Sequence, residues 1–154
     1  MGNKTLESKT DILPEDRYKI ISYRGNLIPP YLYNVVKGPF LTTLRNYNDW
    51  FKLIDKDCYF NTYGKYVDSL INKEDSIIRF AQIYDENLKE DIVLGWCLYS
   101  PEYVHYIWIK EEVRKQGIAM SLMPHQFKFF SHMTTKGAPI WNKKYPGKRF
   151  NPFV

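Results

Sequence analysis

The spacing of apolar residues predicts two helices in the first half of the chain. Over residues 40–54 the apolar positions recur mostly at steps of three and four, which is the stripe of an amphipathic helix. The same spacing over residues 58–73 predicts a second helix. Ahead of both, the β-branched and aromatic run at residues 18–23 predicts a strand. The pair Pro29 and Pro30 predicts a loop or extended segment over residues 26–34.

The pattern then changes to strands. Three runs rich in β-branched and aromatic side chains, bounded by turn residues, predict a meander at residues 76–84, 91–99 and 102–110. After a loop, a helix is expected to begin near Gly117, and Pro124 should end or kink it early. Residues 127–133 predict one more strand.

This order of elements predicts a single α/β domain of the α+β type, with a mixed, mostly antiparallel, twisted sheet flanked by helices. A chain of 154 residues has room for one domain. We divide it into a polar N-terminal arm at residues 1–16, the domain at residues 17–137, and a basic, aromatic C-terminal tail at residues 138–154. The tail has weak secondary-structure signals and is expected to be irregular.

Composition argues against several classes of protein. Cys58 and Cys97 supply neither a disulfide framework nor a metal spacing. The three histidines, His105, His125 and His132, have no cysteine or carboxylate spaced to complete a zinc site, so we expect no metal. No apolar run approaches the roughly 20 residues that cross a bilayer, and residues 1–17 lack the apolar stretch of a secretory leader. We expect no membrane partner.

Positive charge is concentrated at the C-terminal end. Residues 111–154 contain eight Lys and Arg against two acids, a net +6, whereas residues 1–110 contain 14 basic and 15 acidic residues, a net −1. Such a distribution is expected where one end of a protein meets the phosphates of a cofactor or of nucleic acid. A solvated basic face with no partner is the alternative.

One short segment, Arg-Lys-Gln-Gly-Ile-Ala at residues 114–119, carries recognisable chemistry. Gly117 and Ala119 are small enough to let backbone N–H groups approach a ligand, and a helix that starts there adds partial positive charge. Arg114 and Lys115 place two full charges beside these amides. The segment is a candidate binding site for a diphosphate.

In this segment the chain resembles the GNAT superfamily of N-acetyltransferases, whose signature, Gln/Arg-x-x-Gly-x-Gly/Ala, directly follows the fourth strand. The resemblance implies a GNAT-like domain, here with a reduced C-terminal half. It also implies acetyl-CoA or another acyl-CoA as cofactor. The cofactor-binding residues that it implies are Ile107, Trp108 and Ile109 on the fourth strand, then Arg114, Lys115, Gln116, Gly117, Ile118 and Ala119.

A wider resemblance is to small GNAT-like proteins of tailed phages, through residues 44–45, 50–51, 93–96 and 131–134. It implies a phage origin, a location in the host cytoplasm or the virion, and phage structural proteins as partners. The implied function is that of an acyl-CoA-dependent N-acyltransferase-like protein whose acceptor is a DNA base or a protein amine. The alternative is a structural or interaction component of a phage virion that reuses the fold without catalysis.

Acyl transfer to an amine needs a base for the ammonium proton and an acid for the departing thiolate. His105 or Glu102 is a candidate base on the fourth strand. His132 is another, because an unperturbed pKa of about 6.5 suits proton transfer near neutral pH. Tyr145 is the candidate acid. A structural role is the alternative for the histidines.

The tail at residues 141–150 interleaves aromatic and basic residues, which suits stacking on single-stranded nucleic acid and contacts to its phosphates. Binding of this kind is expected to depend on Lys143, Lys144, Lys148 and Arg149. The alternative is that the tail docks on its own domain or on a neighbour.

Overall fold

The computed structural model describes residues 18–154, so the N-terminal arm lies outside the described residues. Six strands form one sheet: β1 (Lys19–Arg24), β2 (Ile77–Asp85), β3 (Glu90–Tyr99), β4 (Tyr103–Ile109), β5 (Phe129–Phe130) and β6 (Arg149–Phe150). Their order in the sheet is their order in the sequence. Strands β1 to β4 pair antiparallel, whereas β5 pairs parallel with β4 and β6 parallel with β5. The mixed, mostly antiparallel sheet confirms the predicted fold class.

Helices cover both faces of the sheet: α1 (Pro30–Asn46), α2 (Gly64–Asn72), α3 (Ile118–Leu122) and α4 (Gly137–Lys144). Helix α2 continues an α-helical turn at Lys56–Cys58 and a π-helical turn at Tyr59–Tyr63. Helices α1 and α2 pack on the face that carries Trp96. Helices α3 and α4 pack on the opposite face, against Cys97. The core therefore consists of two apolar layers, one on each side of the sheet.

Helix α1 begins at Pro30 rather than near residue 40, so the loop predicted over residues 26–34 is wrong beyond Pro29. Pro30 takes the first helical position, where no backbone N–H is needed. Pro39 lies inside the helix and cannot donate to the carbonyl of Val35. The indole Nε1 of Trp96 in β3 donates to that carbonyl instead, at 3.0 Å.

Residues 138–154 form most of α4 and all of β6, not the irregular tail that the sequence indicated. The rings of Trp141 and Tyr145 pack on Phe130 and Phe127, at centroid distances of 6.0 and 5.4 Å. The tail therefore packs on its own domain. Strand β5 has two residues, fewer than residues 127–133 predicted, so the C-terminal part adds two very short strands to the sheet.

Candidate functional site

Strands β4 and β5 part after two residue pairs, and a cavity lies at this parting. Their ladder consists of Tyr103 with Phe129 and Val104 with Phe130. The cavity has a volume of about 50 Å³ and is lined by Val104, Tyr106, Ile107, Phe130, His132, Met133, Thr134 and Trp141. This volume holds a few water molecules but is far below the roughly 300 Å³ of the smaller ordinary ligand pockets.

The chain that follows β5 is tied to the turn that follows α1. The amide of Thr135 donates to the carbonyl of Tyr47 at 2.8 Å. The side-chain amide Nδ2 of Asn48 donates to the carbonyl of Met133 at 2.9 Å. These bonds fix Met133 and Thr134 as one wall of the cavity, opposite β4.

Two buried histidines lie at the seam between β4 and β5 in a continuous chain of hydrogen bonds. His105 Nε2 lies 3.0 Å from Ser100 Oγ, and His105 Nδ1 lies 2.8 Å from Ser131 Oγ. Ser131 Oγ lies 2.8 Å from His132 Nδ1 as well. His132 Nε2 lies 2.5 Å from the hydroxyl of Tyr63. The chain therefore runs from the turn before β4 across the seam to the π-helical turn before α2.

A β-bulge places His105 in this chain. Leu98 pairs with Tyr106 and Tyr99 with Val104, so His105 is the extra residue of β4. Its side chain is fully buried. Because the bulge takes up one residue, Tyr106 can still turn toward α1, where its hydroxyl lies 2.7 Å from Thr43 Oγ1.

Burial lowers the pKa of both histidines, to about 4 for His105 and to about 3 for His132. The positive charge of Lys73 adds to the effect at His105, and His105 adds to it at His132. Both rings are therefore neutral at pH 7. The sequence-based expectation that His132 titrates near neutral pH fails because the ring is buried, and a ring with so low a pKa is a weak general base. Burial also raises the pKa of Tyr63, whose hydroxyl keeps its proton.

The loop at residues 114–119 has the backbone geometry of an anion-binding turn. Lys115 has a φ of 66° and Gly117 a φ of 83°, while Gln116 between them does not have a positive φ. Such an alternation of hand turns successive backbone amides toward one concave side. A Cβ on Gly117 would meet nothing within 4 Å, so the space beside this residue is open. No backbone carbonyl within residues 18–154 accepts a hydrogen bond from the amides of Lys115 or Gly117.

Contacts from the sheet hold this loop in place. Arg114 Nε donates to the carbonyl of Ile109 at the end of β4, at 3.0 Å. Arg79 of β2 donates to the carbonyl of Leu122 at 3.4 Å and so helps to satisfy the C-terminal end of α3. Helix α3 has only five residues, as Pro124 indicated, so its dipole is small. An anion at this loop would be attracted mainly by the loop amides and the two cations.

The three residues predicted on β4 divide between the two faces of the sheet. Ile107 lines the cavity. The ring of Trp108 stacks on Trp96, 6.4 Å away, on the face covered by α1 and α2. Ile109 packs in the layer with α3 and α4, and its carbonyl holds Arg114. The strand therefore connects the loop to the cavity.

The candidate acid and the second candidate base on β4 lie outside the cavity lining. Tyr145 follows α4, and its hydroxyl lies 3.5 Å from the sulfur of Met120 on α3. Partial burial raises its pKa. Glu102 lies at the surface and pairs with Lys128, with 3.1 Å between Oε2 and Nζ. The structure thus brings Ile107 and His132 together at the cavity, connects His105 to His132 through Ser131, and leaves Glu102 and Tyr145 apart.

Sequence reasoning missed the groups that complete the hydrogen-bonded chain and the cavity wall. The helical spacing over residues 58–73 places Tyr63 on the inner face of the second helix, and no sequence pattern places Ser131 or Trp141 at the cavity. Helical spacing marks Tyr63 as inward-facing but cannot show that a histidine 69 residues away meets it. These contacts arise only when β5 is placed beside β4.

No family model matches the chain, and no curated protein matches it. Within residues 18–154, no helix combines the length and the apolar character needed to span a membrane. The same residues contain no group of three or more His, Cys, Asp or Glu arranged to hold a metal ion.

Among solved structures, the chain is similar to a ribosomal-protein-alanine N-acetyltransferase from Brucella melitensis biovar Abortus 2308, at 11% sequence identity and a TM-score of 0.37. The match covers 87% of this chain and 77% of that one. A similarity of this size assigns neither an activity nor a substrate to this chain.

Proposed function

We propose that this chain binds an acyl-CoA at residues 114–119 and transfers the acyl group to an amine. The observation that supports the proposal is the turn itself. Lys115 and Gly117 have positive φ angles, whereas Gln116 between them does not. Gly117 faces open space, and Arg114 and Lys115 are exposed cations. A diphosphate fits this combination because open amides and positive charge both favour an anion.

The loop fits the diphosphate end of the cofactor, whereas the cavity beside it is too small for the acyl arm. Its volume is about 50 Å³, and Trp141 forms part of its wall. Binding therefore requires α4 and residues 133–135 to move away from β4. Side-chain packing and a few hydrogen bonds to the turn after α1 hold that segment in place.

A bound acyl-CoA supplies an acyl group activated as a thioester. The backbone of residues 107–109 is proposed to polarise the thioester carbonyl. His132, or His105 through Ser131, accepts the proton that the amine loses as it attacks, and both rings are unprotonated at pH 7. Tyr145, whose raised pKa keeps it protonated, donates a proton to the departing sulfur. The acceptor amine belongs to a DNA base or to a protein.

A second candidate function is a structural or interaction role, as in a phage particle, without catalysis. The small volume of the cavity favours it, as does the weak basicity of two histidines that are already engaged in hydrogen bonds. In this role the chain Ser100–His105–Ser131–His132–Tyr63 would only satisfy buried polar groups along the seam.

Calorimetric titration with acetyl-CoA separates the two candidates. Gly117→Glu places a carboxylate in the open turn and should abolish binding. Gly38→Glu is the matched control, because Gly38 is an exposed helical position on α1 with nothing within 4 Å of a Cβ. Lys115→Gln removes one cation without adding backbone strain and should weaken binding several-fold.

We expect heat of binding from the wild type and from Gly38→Glu but not from Gly117→Glu, with the fold of each variant checked by circular dichroism. A wild-type protein that binds neither acetyl-CoA nor free CoA would remove the enzymatic candidate and leave the structural one. Equal binding by all variants would place the cofactor elsewhere.

A further inference from the structure

A groove lies at the edge of the sheet where β5 and β6 begin, and it shares no lining residue with the cavity described above. It has a volume of about 420 Å³ and is lined by Phe127, Lys128, Phe129, Gly147, Lys148 and Arg149. Three of these six residues are positively charged and none is negative. Their chemistry is that of a site for an anion with an aromatic part.

The sheet fixes the positions of these cations. Arg149 pairs with Phe129 in the parallel ladder, and its amide donates to the carbonyl of Lys128 at 3.1 Å. The ammonium of Lys148 lies 4.6 Å from the ring centroid of Phe127 and donates to the carbonyl of the same residue. The backbone therefore holds three cations along one short edge.

Lys128 and Arg149 are available to a ligand, whereas the ammonium of Lys148 is already engaged with Phe127. Lys128 pairs with Glu102, but the two side chains are 68% and 53% exposed, and exposed pairs of this kind contribute less than about 1 kcal/mol. Arg149 is exposed and forms no ion pair with any residue in the range 18–154. Residues 113–154 contain eight Lys and Arg and no Asp or Glu, so no acid in this part of the chain competes with an anionic ligand.

An aromatic surface accompanies the charge. The half-buried ring of Phe129 stacks on Tyr103 of β4, with 5.0 Å between centroids and 27° between planes. Phe150 of β6, the next residue after Arg149, is 56% exposed. A planar base placed in the groove would extend the existing stack, which is how proteins hold bases without reading their sequence.

We infer that this groove binds single-stranded nucleic acid, with phosphates at Lys128 and Arg149, the charge of Lys148 beside them, and one base against Phe129. The volume admits a group of nucleotide size, and a base within a duplex offers no free face for stacking. The inference does not rest on acyl transfer, because no groove residue belongs to the loop or the cavity. The sequence led us to expect that nucleic-acid binding also depends on Lys143 and Lys144. The structure excludes these two residues from the groove, because they lie on α4.

Fluorescence anisotropy with a labelled oligothymidylate of about 12 nucleotides tests the inference at 50 and 200 mM salt. Arg149→Gln removes one charge from the groove. Lys143→Gln removes the same charge from an exposed position on α4 and is the matched control. Phe129→Leu removes the stacking ring, and a melting curve checks that this variant is folded. An oligouridylate of equal length shows whether RNA or DNA is preferred.

We expect salt-sensitive binding by the wild type. Arg149→Gln should weaken it several-fold and flatten the salt dependence, Phe129→Leu should weaken it about tenfold, and Lys143→Gln should change it less than twofold. Equal losses from Arg149→Gln and Lys143→Gln would mean diffuse charge attraction and would overturn the site. Three other results would also overturn the proposed site. They are tighter binding to a duplex of the same length, unchanged binding by folded Phe129→Leu, and no wild-type binding at 50 mM salt.

Discussion

The two buried histidines should make the stability of this protein depend on pH between 7 and 5. The pKa values of His105 and His132 in the folded protein are about 4 and about 3, whereas a histidine in an unfolded chain titrates near 6.5. Because the folded values lie below the unfolded one, the unfolded chain takes up protons first as the pH falls, and the free energy of unfolding decreases.

The size of this effect follows from the width of the pH window. Below pH 6.5 each histidine lowers the free energy of unfolding by about 1.4 kcal/mol per pH unit, so at pH 5 each has cost about 2 kcal/mol. The two together cost about 4 kcal/mol, a large part of the stability of a typical domain. The lowered pKa values of Asp55 and Asp68 act in a lower window, as the pH falls through about 4 and below, and add little above pH 5.

Urea unfolding at pH 7 and pH 5 measures the loss directly. Wild type should lose about 4 kcal/mol between the two pH values, and His132→Asn should lose about 2 kcal/mol, whatever its stability at pH 7. His125→Asn is the matched control, because His125 is exposed, and it should lose as much as wild type. A wild-type loss below about 1 kcal/mol, or equal losses in wild type and His132→Asn, would refute the assignment of these rings as buried and neutral.

Two further predictions concern groups in the core. Trp96→Phe removes the one side-chain donor that residues 18–154 supply to the carbonyl of Val35 and should lower the free energy of unfolding by about 1–3 kcal/mol. Adding Pro39→Ala restores a backbone N–H to that carbonyl and should recover part of the loss in denaturant curves, whereas no recovery would contradict the account of α1. Cys58 is exposed and Cys97 is buried, so a thiol reagent should label one equivalent in the native protein and two after unfolding, and fast labelling of both would contradict this packing.

The meander and the loop were predictable because their signals are local. Strands β2 to β4 lie within about a residue of the runs that predicted them, since side-chain alternation and turn residues mark strand ends. Gly117 was identifiable because a turn that opens toward an anion often needs a positive φ, which glycine adopts without strain. Pro124 likewise marked the early end of α3.

The features that sequence reasoning missed depend on contacts between distant residues. Pro29 and Pro30 mark a helix start as readily as a loop, and only the packing of α1 on the sheet decides between them. Helix α4 has no buried residue, so its apolar pattern is too weak to predict a helix. The contact between the rings of Trp141 and Phe130 joins it to the sheet. The neutral state of His132 follows from its burial among aromatic rings of α1 and of the segment before α2. No local pattern encodes that environment.

The seam between β4 and β5 determines how a ligand can reach the interior. Strands β4 and β5 share two residue pairs and β5 and β6 share two more, whereas β2 and β3 share nine. A segment held mainly by aromatic side chains and few ladder bonds opens at a smaller free-energy cost than the meander does. Under the proposed function, entry to the space beside His132 would be controlled by how often residues 129–154 detach from β4. The rate of ligand uptake would then depend on this detachment, and substitutions along the seam would change the rate without altering any ligand-binding group.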